Sequence, residues 1–354
     1  MQRRDALRSA MALLGGASLA GCLDALGSDS AWRDLVVDRP DEIYVPPKTD
    51  GMAVWGSVST DAYSVVLSAT RPHRFWTVTG TETNQIAMRD AHSAHLMVSV
   101  RESDTRRLLP AEVSISIDRS DERSVDRTLW PMLSQRMGVH YGDNVSLPAA
   151  GSYRATIRVV PRDVEYRGGF EGGFEPASLE VGFEYDPEEI EALDRTILEE
   201  SRRGRPGAVE PMDRDDDDHG DSDDHPPVPT APSPDALPTV IDATVANDYA
   251  IVVATASHES GRYLVVSPRT RYNGYPLPFC SLSAAIDREG TGIESVTLDE
   301  ATHPAFGHHY GAVVDPFSRS ELTVAVETPP QLTRHEGYET AFFDRPEISP
   351  RASR

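Results

Sequence analysis

The chain has 354 residues, with 57 acidic against 34 basic side chains and a formal charge of −23; Lys48 is its single lysine. Such an excess repels nucleic acid and anionic membrane surfaces, so neither is an expected partner, and the spread of carboxylates suits a protein kept soluble in high salt, a halophilic habitat. The length leaves room for about two domains. Serine-nucleophile elbow, phosphate-binding loop, dinucleotide fingerprint and zinc-protease helix motifs are all missing, and no catalytic pair stands out among so many carboxylates, so an enzyme is not expected.

The first thirty residues read as an address. Arg3 and Arg4 precede a short apolar run from Met11 to Ala20, too short to span a bilayer, and Leu19-Ala20-Gly21-Cys22 follows it. A twin-arginine signal ending in a lipobox is expected over 1–22, with Cys22 as the lipidated residue. The mature protein would then be exported and anchored by lipid to the outer face of the cytoplasmic membrane. With Cys22 modified, Cys280 is the one remaining thiol and no intrachain disulfide can form.

Residues 23–50 are polar and proline-bearing, and a tether is expected there. Over 51–186, "YSVVLSA" (63–69), "HLMVSV" (95–100), "EVSISI" (112–117), "SYRATIRVV" (152–160) and "SLEVGFEY" (178–185) are β-branched, mostly alternating and separated by turn residues. Asp186, Pro187, Glu188 and Glu189 form a helix start, and Ile190, Leu193 and Ile197 share one helical face up to a stop at Arg202–Gly204. An acidic, proline-rich linker completes 187–236. Strand grammar then resumes over 237–335 with "TVIDATV", "YAIVVATA", "RYLVVS", "SLSAAI" and "LTVAVET", and 336–354 is expected to be a tail. The fold class predicted is all-β: two immunoglobulin-like antiparallel sandwiches joined by a helix and an acidic linker.

The two halves echo each other. "DAYSVVLSATRPH" (61–73) resembles "NDYAIVVATASH" (247–258), and "VHYGDNVSL…GSYRATIRVVP" resembles "HHYGAVVDPFSRSELTVAVETPP". Two echoes in the same order point to a duplicated domain. His140 and His309 of the repeated His-Tyr-Gly precede a glycine expected at a turn leading into a strand, projecting from the end of a sandwich where they could hold an ion. In the first copy, His95 and Met97 share a strand face, and Met132 precedes His140 by eight residues. Imidazole with thioether suits copper and tolerates other first-row metals. His73 and His258 recur at the end of the repeated strand and read as strand-end structure.

The run "PMLSQRMGVHYGDNV" with "GSY" after it resembles the signature of the periplasmic iron-transport lipoproteins that work beside iron permeases, some described as pathogen antigens. The resemblance covers about 60–185. It implies an immunoglobulin-like sandwich, usually dimeric, whose site binds copper, or manganese as a stand-in, and serves iron uptake. Carried over, His140 takes the place of the motif histidine, His95 of the strand histidine and Met132 of the methionine. An acidic residue belongs two positions after the strand histidine, and here Met97 stands there, which shifts preference toward softer, reduced metal. The expected metal ligands are therefore His95, Met97, Met132 and His140, with His309 in a poorer second copy where His95 would fall near Ser281 and Cys280 is a candidate soft ligand. Copper is the expected cofactor, with iron or manganese as alternatives, and a membrane permease or redox partner the expected recipient. The chain would be a homodimer or an internal pseudo-dimer. A structural or adhesive surface lipoprotein that holds no metal is the alternative reading; it is distinguished by whether His95, Met132 and His140 converge.

Overall fold

The structure, a computed structural model, describes residues 38–120, 122–212, 228, 230–288 and 292–350. Cys22, the expected signal and the Asp/His-rich run at 213–227 lie outside the described residues. The first half contains β1 (Lys48–Asp50), β2 (Ala53–Ser59), β3 (Tyr63–Thr70), β4 (Phe75–Thr79), β5 (Glu82–Ile86), β6 (Ala94–Glu102), β7 (Ala111–Arg119), β8 (Glu122–Thr128), β9 (Trp130–Ser134), β10 (Gly138–Val145), β11 (Gly151–Pro161), β12 (Glu165–Tyr166) and β13 (Ala177–Tyr185). Helix α1 (Pro187–Ala192) and β14 (Arg195–Ile197) follow. The second half holds β15 (Thr239–Ala246), β16 (Tyr249–His258), β17 (Gly261–Thr270), β18 (Ser281–Arg288), β19 (Gly292–His303), β20 (Gly307–Val314), β21 (Leu322–Thr328), β22 (Thr333–Arg334) and β23 (Glu347–Ile348).

The predicted all-β class is what the chain adopts. In the first half a sheet ordered β2-β3-β6-β10-β9 faces a second sheet ordered β13-β11-β7-β8. Alternation explains the closure: Leu179, Val181, Phe183 and Tyr185 of β13 point inward while Glu180 and Glu184 point to water. Strand β6 differs, because all nine of its residues are buried. Ala94, Leu96, Val98 and Val100 enter the sandwich core, so His95, Met97, Ser99 and Arg101 lie on the other face, which must also be covered. In the second half the strands run β15-β16-β17-β20-β19-β18-β21-β23, with β19 pairing β20 through one stretch and β18 through another.

The halves interlock by exchanging short strands. After β21 the chain returns to the first half, where β22 lies parallel to β9, Thr333 opposite Met132, and antiparallel to β4. Reciprocally, β12 of the first half lies parallel to β19, with Glu165 opposite Ala301. Ile43, Leu108, Leu133 and Val139 from the first half join the core of the second.

Three sequence expectations are corrected by this packing. The tether over 23–50 does not extend to its end: Ile43, Tyr44 and Val45 are buried apolar residues, and β1 pairs with β14. The helix stops at Ala192 because Leu193 turns to φ −49°, ψ 142°, after which Arg195–Ile197 continue as strand. Where a tail is expected over 336–354, the described residues 336–350 instead contribute to the core. Tyr338, Ala341 and Phe342 are fully buried, Phe342 lies edge-on to Tyr249, and β23 pairs with β21. Phe342→Ala should therefore cost about 3–5 kcal/mol of stability, read as a lowered urea midpoint with an unchanged slope.

Candidate metal centre

Positioning begins at the turn before β10. Gly138, with φ +64°, is the turn glycine; the His-Tyr-Gly itself sits within the strand, so His140 projects from the sheet face and is fully buried, not from a sandwich end as the motif suggested. Neighbouring strands then set its companions. Met132 of β9 is directly opposite His140, and Asn144 of β10 is opposite His95 of β6. Directly paired residues face the same side of a sheet. Gly142 needs no unusual backbone angle. Its role is space: a Cβ there would lie 2.7 Å from the Leu96 carbonyl oxygen, 3.1 Å from Met132 Sδ and 3.2 Å from His95 Nε2. Glycine thus clears the floor on which thioether and imidazole meet.

Two further histidines complete the site, and neither was expected there. His73, just beyond β3, has its ring centroid 4.1 Å from that of His95. His335, delivered by β22, lies 4.9 Å from His73, 5.3 Å from His95 and 5.1 Å from His140 by ring centroids. Nitrogens of His73, His95 and His335 all lie within 4.8 Å of one another.

The hydrogen bonds fix which nitrogen of each ring is bare. His140 Nδ1 donates to the Gly138 carbonyl at 3.1 Å, and His73 Nδ1 to the Arg71 carbonyl at 3.0 Å. Asn144 Nδ2 donates to the His73 carbonyl, which turns its Oδ1 toward His95 Nδ1 at 3.1 Å. His73 Nε2 is then a lone pair, and it accepts from His335 Nδ1 at 2.9 Å. Every Nδ1 is a donor. The Nε2 atoms of His95, His140 and His335 remain, buried and without any hydrogen-bond partner. A donor fixed on one ring nitrogen is how proteins prepare the other to bind an ion.

Burial holds these rings neutral. It lowers His140 to about 4, and burial followed by repulsion from neighbouring histidines holds His95 and His335 well below the usual imidazole value. His73 is lowered by the same desolvation. The converging group contains no carboxylate. Of the expected ligands, Met132 pairs directly with His140, and His95 and His140 each lie within 5.3 Å of the His335 ring by centroids, while the group whose nitrogens lie within 4.8 Å of one another contains His95 but not His140. Met97 is buried one step along the same face, opposite Gly142.

His309 is not assembled into a comparable group. The register matches it with Tyr263, not with a residue near Ser281: Val98 opposes Tyr141 as Val266 opposes Tyr310, which makes Tyr263 the counterpart of His95. His309 Nδ1 donates to the Gly307 carbonyl and its Nε2 accepts from Tyr263 Oη at 3.0 Å, so no lone pair is left for an ion. Cys280 belongs to the other face. Its backbone N–H donates to Tyr310 Oη, its thiol to the Leu277 carbonyl, and burial raises the thiol's pKa.

The depressed histidines make stability pH-dependent with a definite sign. In the folded chain His140 is neutral down to about pH 4, whereas the unfolded chain protonates it near 6.5, so the unfolded state binds more protons between these values. Its contribution is fully present above about pH 6.5 and is lost as pH falls toward 4. Urea midpoints of the metal-free protein should fall across that window, and His140→Gln should flatten the fall; an unchanged slope would show that His140 is not held neutral.

A family model described as a domain of unknown function (DUF7350) matches residues 235–351. Comparison with curated proteins gave no match. Among solved structures, FetP of uropathogenic E. coli aligns with a TM-score of 0.29 at 17% identity, over 39% of this chain and 95% of that one. A copper-bound variant of Campylobacter jejuni P19 aligns with a TM-score of 0.31 at 18% identity, over 38% of this chain and 98% of its own. Among the described residues, no helix is long and apolar enough to cross a membrane.

Proposed function

We propose that this is an extracytoplasmic metal-binding protein whose centre takes one soft first-row ion, copper foremost. One observation carries the reading: three buried Nε2 lone pairs, on His95, His140 and His335, have no partner, while each ring's Nδ1 is fixed as a donor. Left empty, each desolvated lone pair costs about 1–3 kcal/mol; a single cation answers all three. Met132 Sδ, close to His95 Nε2 across Gly142, supplies the soft fourth donor. His73 serves as the group that orients His335.

The donor set favours cuprous copper. Imidazole and thioether are neutral, and a buried site with no carboxylate charges less unfavourably with a monovalent ion than with a divalent one. Hard, oxygen-preferring ions find nothing here to replace their water. In this reading the protein is held at the outer face of the cytoplasmic membrane by a lipid on Cys22. It passes metal to, or receives it from, a permease or redox partner in copper or iron handling. The alternative of a structural or adhesive lipoprotein leaves the three lone pairs unexplained.

The test is titration of the form lacking residues 1–22, in high salt, with Cu(I), Cu(II), Fe(II) and Mn(II). One tight equivalent of Cu(I) is expected. His335→Ala should abolish tight binding, and Asn144→Ala should weaken it about 10–100-fold by releasing the His95 ring. No binding by a folded wild-type protein would sink the proposal.

A further inference from the structure

The exchanged strands place the two halves in residue-by-residue correspondence. Met132 opposes His140 as Ala301 opposes His309. In β22, Thr333 opposes Met132 and Arg334 opposes Leu133; in β12, Glu165 opposes Ala301 and Tyr166 opposes Thr302. The residue after each short strand is therefore also matched, and His335 corresponds to Arg167. Three of the four proposed ligands are changed in the second half: His95 to Tyr263, Met132 to Ala301 and His335 to Arg167. Only His309 keeps its type.

The replacements fit one another. Tyr263 Oη donates to His309 Nε2, the nitrogen left bare in the first half. Gly311 gives the phenol its room, since a Cβ there would lie 2.2 Å from Tyr263 Oη. Arg167 lays its guanidinium 4.2 Å from the centroid of the Tyr263 ring, and Phe306 packs edge-on to His309. The guanidinium is a permanent positive charge, ion-paired with Glu165, laid over the ring whose hydroxyl occupies the nitrogen that would bind an ion. Where the first half has three orphaned lone pairs, His309 has none, although burial lowers it to about 3 in the same way.

We propose that the second half carries a silenced metal centre for the same class of soft first-row ion, filled by the Tyr263 phenol and guarded by Arg167, on a backbone that still has the geometry of the first. The inference rests on the metal-binding reading of the first half. It predicts that three substitutions restore what the duplication lost. In R167H/Y263H/A301M, with Tyr263 and Arg167 replaced by imidazoles and Ala301 by thioether, the expected Cu(I) stoichiometry rises from one equivalent to two. The double variant R167H/Y263H should take a weaker second equivalent, and it decides the matter if the triple variant does not fold. Near-UV circular dichroism checks folding in each case. A wild-type protein that takes one equivalent, beside folded variants that still take only one, overturns the silenced centre while leaving the first site intact. A folded wild-type protein that takes none overturns the first-site reading, and this inference falls with it.

Discussion

Thr333 and Arg334 pair with Met132 and Leu133, and that two-residue parallel ladder fixes where His335 can be. So short a strand has little hold of its own. It is held by what surrounds it: the Arg334 guanidinium donates back to the carbonyls of Leu332 and Pro330 and lies over the Phe342 ring, while Tyr338 and Phe342 anchor the following turn in the second core. The site is thus rigid because a buried arginine and two aromatic rings keep the crossing segment in register. Without that crossing segment the rings of His95 and His140 would lose the imidazole of His335 that each meets.

The two halves show how far one backbone can diverge in chemistry. Both keep the turn glycine (Gly138 or Gly307, each near φ +65°), the histidine bonded back to that glycine's carbonyl, and the tyrosine that supports the opposite face. Both also keep a glycine, Gly142 or Gly311, as the empty place beside the histidine. What fills that place decides everything: a thioether and an imidazole in one half, a phenol in the other. Fold is shared, and function lives in the filling.

Much of this was legible in the sequence. Alternating β-branched runs located β3, β6, β7, β11 and β13 and their counterparts to within a few residues, because period-two burial is a local signal. His95, Met132 and His140 could be named because "HLMVSV" and "PMLSQRMGVHYGDNV" carry the resemblance to a known signature. His335 could not, since its place depends on a return crossing some two hundred residues downstream, and "TRHEGYE" has no local pattern that announces it. His73 was visible as a recurring residue but read as a strand end; only the register of β3 against β6, Thr70 opposite His95, brings it near. The role of the motif glycine was misread for a related reason. Glycine suggests a turn to a local reading, whereas Gly142 answers a neighbour on another strand.

The fusion of the halves also has a consequence for dilution. When separate subunits each bring part of a binding pocket, the pocket exists only as far as the subunits associate, and scarcity empties it. Here the strand that brings His335 is covalently continuous with the sheet it joins. Closure is intramolecular, at an effective concentration set by the connecting chain and independent of how many copies are present. A single molecule already holds all of these rings together.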